Sequence, residues 1–400
     1  MATLECAFRL IRALRILPAG AIVSLLVLVS GTVALASIPL QQELIPADGQ
    51  PGDAFGGLVA VDGSTLAVGA PLKNSSTGVA YVFVRPGGTW SQQAALAASD
   101  SVAGDQFGSA VAFASSSNGQ SELLVGAQGK NSSAGVVYVF IRSGASWLQL
   151  QELTALDSKP NDLFGWDVKV SGSSLLIIAP GKASNAGAAY VFVRSGELWI
   201  QQAELNASDG AAGDSFGNTG AISGSTVVVG APFKNSNSGA VYVFSRTGGT
   251  WSQQHELTTP DPAAFYFGRF VVAAGSTVLV DAAGLGGGVA YVFTQTGAAF
   301  SLLQRLQASD KVPNEQFGSA MAIEDSSLVL GASGKNSFTG AAYVFTLGDA
   351  GWTQQAELTP SDGAAGDYFG LYVAVSGPTV LVGAPFHAGT GAAYVFTHAA

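Results

Sequence analysis

Residues 209–217 read D-G-A-A-G-D-S-F-G, residues 227–244 read V-V-V-G-A-P-F-K-N-S-N-S-G-A-V-Y-V-F, and residues 251–257 read W-S-Q-Q-H-E-L. Parts of this stretch recur from Gln41 to the C-terminus, so one supersecondary unit is copied along the chain. A repeat with a period near 50 residues belongs to a solenoid, a propeller or an array. The phase is marked by Phe55, Phe107, Phe164, Phe216, Phe267, Phe317 and Phe369, each followed by Gly, at intervals of 52, 57, 52, 51, 50 and 52 residues. Seven copies with nothing between them predict seven equal units over residues 37–400 and no second domain.

Each copy holds four short apolar runs, as in Leu58–Val61, Thr65–Val68, Val79–Val84 and Trp90–Leu96. Asp62-Gly63-Ser64, a Gly-rich loop closing at Gly78, and Pro86-Gly87-Gly88 separate them. Four short strands joined by tight turns make a meander, which is what one propeller blade requires. The pattern carries no helical periodicity. The last copy stops after its third strand, Ala392–Thr397, while Ile38–Leu44 matches the fourth-strand pattern Trp352–Leu358. The predicted fold is therefore an all-β, seven-bladed propeller of four-stranded antiparallel blades. Residues 38–45 supply the outer strand of the seventh blade and so close the ring, removing two exposed sheet edges.

Phe216-Gly217, then Gly230-Ala231-Pro232, then Ala240-Val241-Tyr242-Val243-Phe244 resembles the FG-GAP repeat of integrin α-chain propellers. It is similar, too, to secreted bacterial and algal proteins built of such repeats. The resemblance spans residues 38–400 and implies the propeller; it says far less about activity, because one fold hosts many functions. It also implies calcium in the loop between strands 1 and 2, where a run of several acidic ligands would stand. Here that loop is mostly as short as Ser223-Gly224-Ser225, and the one long version offers Ala114, Ser116, Asn118 and Glu122. A single carboxylate does not support calcium, and no metal or other cofactor is expected.

The 400 residues are 48% hydrophobic and 11% charged, a folded composition with a formal charge of −10. Without residues 1–36 the chain keeps 14 basic and 26 acidic residues, so no basic patch points to nucleic acid. Arg9, Arg12 and Arg15 precede an uncharged apolar run from Ile16 to Ala36 that ends Ala34-Leu35-Ala36. This reads as a signal peptide with an A-x-A cleavage site or, equally long enough to span a bilayer, as an uncleaved anchor. Either form places the remainder outside, secreted or on the extracytoplasmic face. Cys6 is the only cysteine, so the repeats hold no disulfide.

In a meander the strand 2–3 and strand 4–1 loops share one face. There an Asp stands seven residues before most of the Phe markers (Asp48, Asp100, Asp157, Asp209, Asp310, Asp362) and an acid two before (Asp53, Asp105, Asp162, Asp214, Glu315, Asp367). Lys73, Lys130, Lys182, Lys234 and Lys335 lie in the facing loops. Such a ring either binds a ligand or caps turns and pairs locally; repetition in nearly every blade favours the second. By the same logic Trp90, Trp147, Trp199, Trp251 and Trp352 are packing residues of the outer strands.

Departures from the repeat carry more information. In the third copy Trp166, Asp167 and Lys169 replace small or apolar residues on the innermost strand. The fifth copy has Arg269 after Phe-Gly and Asp281 in place of the Gly of G-A-P. These five residues are the candidate ligand-binding positions. No nucleophile with a neighbouring base and no G-x-S-x-G, H-E-x-x-H or P-loop pattern occurs, so no catalytic residue is named. Asn74, Asn131 and Asn206 stand in N-x-S/T sequons on the same loop face. The expectation is an exported, monomeric, non-enzymatic binding or adhesion module for an extracellular protein or glycan, touching a membrane only through an uncleaved N-terminus. A secreted polysaccharide lyase or hydrolase with its site at the channel mouth is the alternative, and a passive envelope or matrix component a third.

Overall fold

The computed structural model describes residues 40–284, 286–297 and 299–397. The leader or anchor expected over residues 1–36, with Cys6, lies outside the described residues. Among the described residues no helix is long and apolar enough to cross a membrane.

The first copy forms strands Leu58–Asp62, Thr65–Ala70, Val79–Val84 and Ser91–Leu96, paired antiparallel in that order. Its second strand is buried at every position, which is why such strands read as unbroken apolar runs and not as alternating ones. Six more sheets repeat the order, and the innermost strands of neighbouring sheets touch around a central channel. This is the seven-bladed propeller expected from the repeat.

The fifth blade differs: Ala264–Phe265 adds a short fifth strand against Thr277–Gly284. The cause is local. The acid positions before Phe267 hold Pro260 and Phe265, and the next loop is cut to a few glycines, so the second strand runs on and the incoming chain pairs with it.

The core lies between blades. Each marker Phe is fully buried and meets the Tyr and Phe of its own Y-V-F strand edge-on or tilted, as Phe55 meets Tyr81 at 5.5 Å and Phe83 at 6.0 Å and Phe107 meets Tyr138 at 5.7 Å. Leu176, Ile178 and Val191 of the third blade interdigitate with Val227, Val229 and Tyr242 of the fourth, and comparable clusters fill the other seams. A Cβ placed on Gly69 would lie 2.1 Å from the carbonyl oxygen of Gly108, so the glycines of G-A-P and of the next Phe-Gly let two backbones touch. On the outer side Gln42 and Trp90 exchange two hydrogen bonds of 2.8 Å from one blade to the next, and Gln151 with Trp199 does the same. The five repeated outer-strand tryptophans are buried as packing residues.

Leu40–Leu44 pairs with Ala392–Thr397, Glu43 opposite Tyr394 and Leu44 opposite Ala393. The ring is thus closed by the N-terminal strand. Leu44 is 2% exposed, and burying a leucine contributes about 1.5–3 kcal/mol. Each lost ladder bond costs about 0.5–1.5 kcal/mol more. Deleting residues 37–46 is therefore expected to lower the melting temperature by roughly 10 °C or more, at ~2–4 °C per kcal/mol; an unchanged calorimetric melt would refute the closure.

Candidate functional site

The strand 2–3 loops begin with a lysine and turn left. Asn74, Ser75 and Ser76 have φ of 53°, 57° and 61°, and Asn131, Ser132 and Ser133 repeat the turn. Small polar residues suit this strained region, Asn best among non-glycines. The turn carries Lys73 inward, where it is only 4% exposed. Its Nζ donates to the Asp48 carbonyl at 2.7 Å and to Asp53 Oδ2 at 2.9 Å. Tyr81 donates its hydroxyl to Asp48 Oδ1 at 2.6 Å, and Asp53 Oδ2 accepts the Gln50 amide at 2.8 Å.

The unit recurs. Lys130 lies 2.9 and 3.1 Å from Asp100 and Asp105, Lys234 lies 2.8 Å from Asp209, and Lys182 and Lys335 pair with Asp157 and Asp310. The Tyr81 hydroxyl holds Asp48 below the usual carboxylate range, and Lys234 with Tyr242 does so for Asp209. In five blades the loop lysine thus pairs with at least one of the repeated acids. The long strand 1–2 loop does not fit calcium either. Glu122 is fully buried and bonded to Arg194 at 2.7 Å and to the Trp199 indole at 3.2 Å, while Ser116 bonds Asn118 at 2.6 Å.

The non-repeating residues do converge. A cavity of about 550 Å³ opens at the mouth of the channel on the 2–3 and 4–1 loop face, and Trp166, Asp167, Lys169 and Arg269 line it. Lys169 pairs with Asp167 at 2.9 Å. Trp166 donates its indole N–H to the Asn218 carbonyl at 3.1 Å, and Asn218 donates its amide to the Arg269 carbonyl at 2.7 Å. These contacts step across the third, fourth and fifth blades. Asp281 stands behind Arg269 and not in the cavity: it is fully buried, 3.0 Å from the guanidinium, and accepts the Phe270 amide at 2.6 Å. Across the channel, burial and the charge of Asp167 raise the Tyr372 hydroxyl. Both charged pairs are internally neutral, so the wall offers Trp166, amides such as Gln106 and Gln128, and hydroxyls to a ligand that need carry no charge. None of the described histidines lines it.

Around the mouth lie residues that sequence reasoning missed. Phe233 and Phe386 precede the loop cation, where other copies have Gly129, Gly181 or Gly334, and Tyr266 and Tyr368 precede Phe-Gly. Phe338 stacks on Tyr368 at 4.9 Å and Tyr368 meets Phe386 at 5.3 Å; Phe233 and Phe265 flank Tyr266 at 5.6 and 5.2 Å. Their signal was an aromatic residue varying at a loop position of the repeat. Of the sequon asparagines, Asn74 and Asn131 lie exposed in the left-handed turns, and Asn206 lies exposed after an outer strand.

The model of the FG-GAP repeat matches residues 39–83, 90–140, 147–192, 199–244, 300–345 and 352–396, skipping the divergent fifth copy. No curated protein matches the sequence. A solved structure, the hydrazine synthase of Kuenenia stuttgartiensis, is similar over 90% of this chain and 99% of that one, with a TM-score of 0.58 at 16% identity. That likeness is one of fold.

Burial pushes the Asp281 carboxyl up to about 6 against the pull of Arg269. Removing one partner of a buried pair costs about 3–5 kcal/mol, because the other charge is left without solvent. Arg269→Ala is expected to lose that much at pH 8 in urea unfolding, and distinctly less at pH 5, where the lone carboxyl keeps its proton. A loss independent of pH would rule out this ion pair.

Proposed function

Because the chain belongs to the FG-GAP repeat family, and its repeated residues are consumed in building blades, we propose that it works as an exported, non-enzymatic binding module. The contact surface is the 2–3 and 4–1 loop face with the channel mouth at its centre, and the partner is an extracellular protein or glycan. One observation carries this reading. Among the described residues the most exposed aromatic side chains are Trp166, Phe233, Phe265, Phe338 and Phe386, and all five belong to that face. Exposed aromatic groups beside a pocket are what anchors a partner surface or stacks on a sugar ring, and their desolvation is where binding energy concentrates.

The cavity supports binding over hydrolysis. Acid and base work at a glycosidic bond needs two carboxyl groups facing the substrate. Asp167 faces the cavity but is held by Lys169, and Asp281 is sealed behind Arg269. Arginines before the N-terminal apolar run support export, and an uncleaved run would tether the module to a membrane.

The test is to probe the full-length chain on a glycan array and by capture from extracellular protein mixtures, then repeat with Trp166→Ala and Phe386→Ser. The variants are expected to bind at least tenfold more weakly at an unchanged melting temperature, as loss of ~1.4 kcal/mol or more at an anchor implies. Turnover of a polysaccharide, or binding indifferent to both changes, would overturn the reading.

A further inference from the structure

The seventh copy replaces the loop lysine with His387. His387 Nδ1 lies 2.8 Å from Asp367 Oδ2, as Lys73 Nζ lies 2.9 Å from Asp53 Oδ2 in the first copy. Its Nε2 lies 3.5 Å from Asp362 Oδ2 and 3.8 Å from Glu43 Oε1. Glu43 occupies the outer-strand position of Glu357, which in the sixth copy pairs with Lys335 at 2.7 Å. An ammonium is thus exchanged for an imidazole while the three carboxylates stay. Among the described residues no lysine or arginine forms an ion pair with Glu43, Asp362 or Asp367.

We infer that Glu43, Asp362 and His387 form a binding site for a divalent transition-metal ion of the zinc class, one that fastens the N-terminal strand to the loops of the last blade. The ligand atoms all lie within 4.8 Å of one another. Ligands at ~2.0–2.1 Å around a tetrahedral zinc ion stand about 3.3 Å apart, close to the 3.5 and 3.8 Å that separate Nε2 from the two carboxylates. With Nδ1–H donating to Asp367, the Nε2 lone pair is left for an ion beside Asp362 and Glu43, the carboxylate behind histidine that metal sites use to fix the tautomer. Tyr394 donates to Asp362 Oδ1 at 3.0 Å and so leaves Oδ2 for the ion. One nitrogen and two carboxylate oxygens suit zinc better than calcium, which asks for six or more oxygens. Burial and the neighbouring Asp362 charge raise the Glu43 carboxyl, a repulsion that a bound cation relieves. Asp362 is exposed, so the ion has a way in.

The experiment uses the full-length chain stripped with chelator at pH 7.5, titrated with Zn2+ in a calorimeter and melted with and without it. Zn2+ is expected to raise the melting temperature by several degrees, and an equal concentration of Ca2+ to leave it unmoved. His387→Lys restores the residue of five other copies, so it is expected to fold and to lose the Zn2+ response. Asp367→Asn is expected to weaken Zn2+ binding about 10–100-fold. Glu43→Gln, at a position where the first copy has Ala95, is expected to weaken it as well. A wild-type melt indifferent to Zn2+, equal stabilisation by Ca2+, or undiminished Zn2+ binding by His387→Lys and Glu43→Gln would overturn the assignment.

Discussion

Everything in this propeller depends on how closely one blade approaches the next. A Cβ on Gly69, Gly126, Gly230, Gly331 or Gly383 would sit 1.9–2.3 Å from the carbonyl oxygen of the glycine after the next blade's marker Phe. No side chain fits in that gap, and the Phe-Gly glycines also hold φ of 84° to 92°, which favours glycine at every seam. Two seams break the rule, with Ile178 in the third copy and Asp281 in the fifth at the glycine position. Gly318 would then meet the Asp281 Cβ at 3.1 Å in place of backbone. These are the same copies whose first strands bring Trp166, Asp167, Lys169 and Arg269 to the cavity. At the seam of the third and fourth blades the Trp166 indole bonds the Asn218 carbonyl, and across the next seam, where Gly230 and Gly268 still touch, Asn218 bonds the Arg269 carbonyl.

The second constraint is electrostatic. Lys73, Lys130, Lys234 and Lys335 are buried, each paired with two acids, and burying a charge is tolerable only when it is paired and bonded. The fifth copy shows the same pairing with other partners: its loop has no lysine and Phe265 takes the second acid position, while Asp261 is met at 3.9 Å by Arg305 of the outer strand. Because Asp48, Asp100 and Asp209 are held below their ordinary range, the stability they contribute is present above the unfolded carboxylate pKa. It is lost as pH falls through the lower folded values. Asp281 acts the other way, its stabilising proton lost as pH rises through about 6.

The architecture was legible because its causes are local and repeated: the Phe-Gly phase, the turn glycines, and the outer-strand match of Ile38–Leu44 to Trp352–Leu358. That the third and fifth copies would bring residues to the cavity was legible in their departures from the repeat at Trp166, Asp167, Lys169 and Arg269. That Asp281 lies behind the cavity wall was not, because the inward or outward sense of a residue next to an irregular seam depends on the neighbouring blade. Ile178, Asn218 and the exposed phenylalanines Phe233, Phe265, Phe338 and Phe386 escaped for a related reason. Each looks like ordinary variation within its own copy and becomes meaningful only beside residues about 50 positions away. The extra strand Ala264–Phe265 arose from deletions in two different loops, neither informative alone.

Ring closure separates the seventh blade from the other six. Those six are each made of consecutive chain, so their strands pair at little loop-closure cost, whereas the seventh joins segments from opposite ends of the repeat region. Its outer strand must find its place with Leu44 as the buried anchor and Gln42 reaching the first blade at Trp90. The same blade is the one whose loop carries an imidazole where its siblings carry an ammonium. An ammonium is charged at every physiological pH, while an imidazole needs a proton or a metal ion to do the same work among three carboxylates. Among the described residues, the cluster at the ring's closure holds its three carboxylates without a lysine or arginine ion pair, and the inferred ion would supply there the charge that lysine supplies in its siblings.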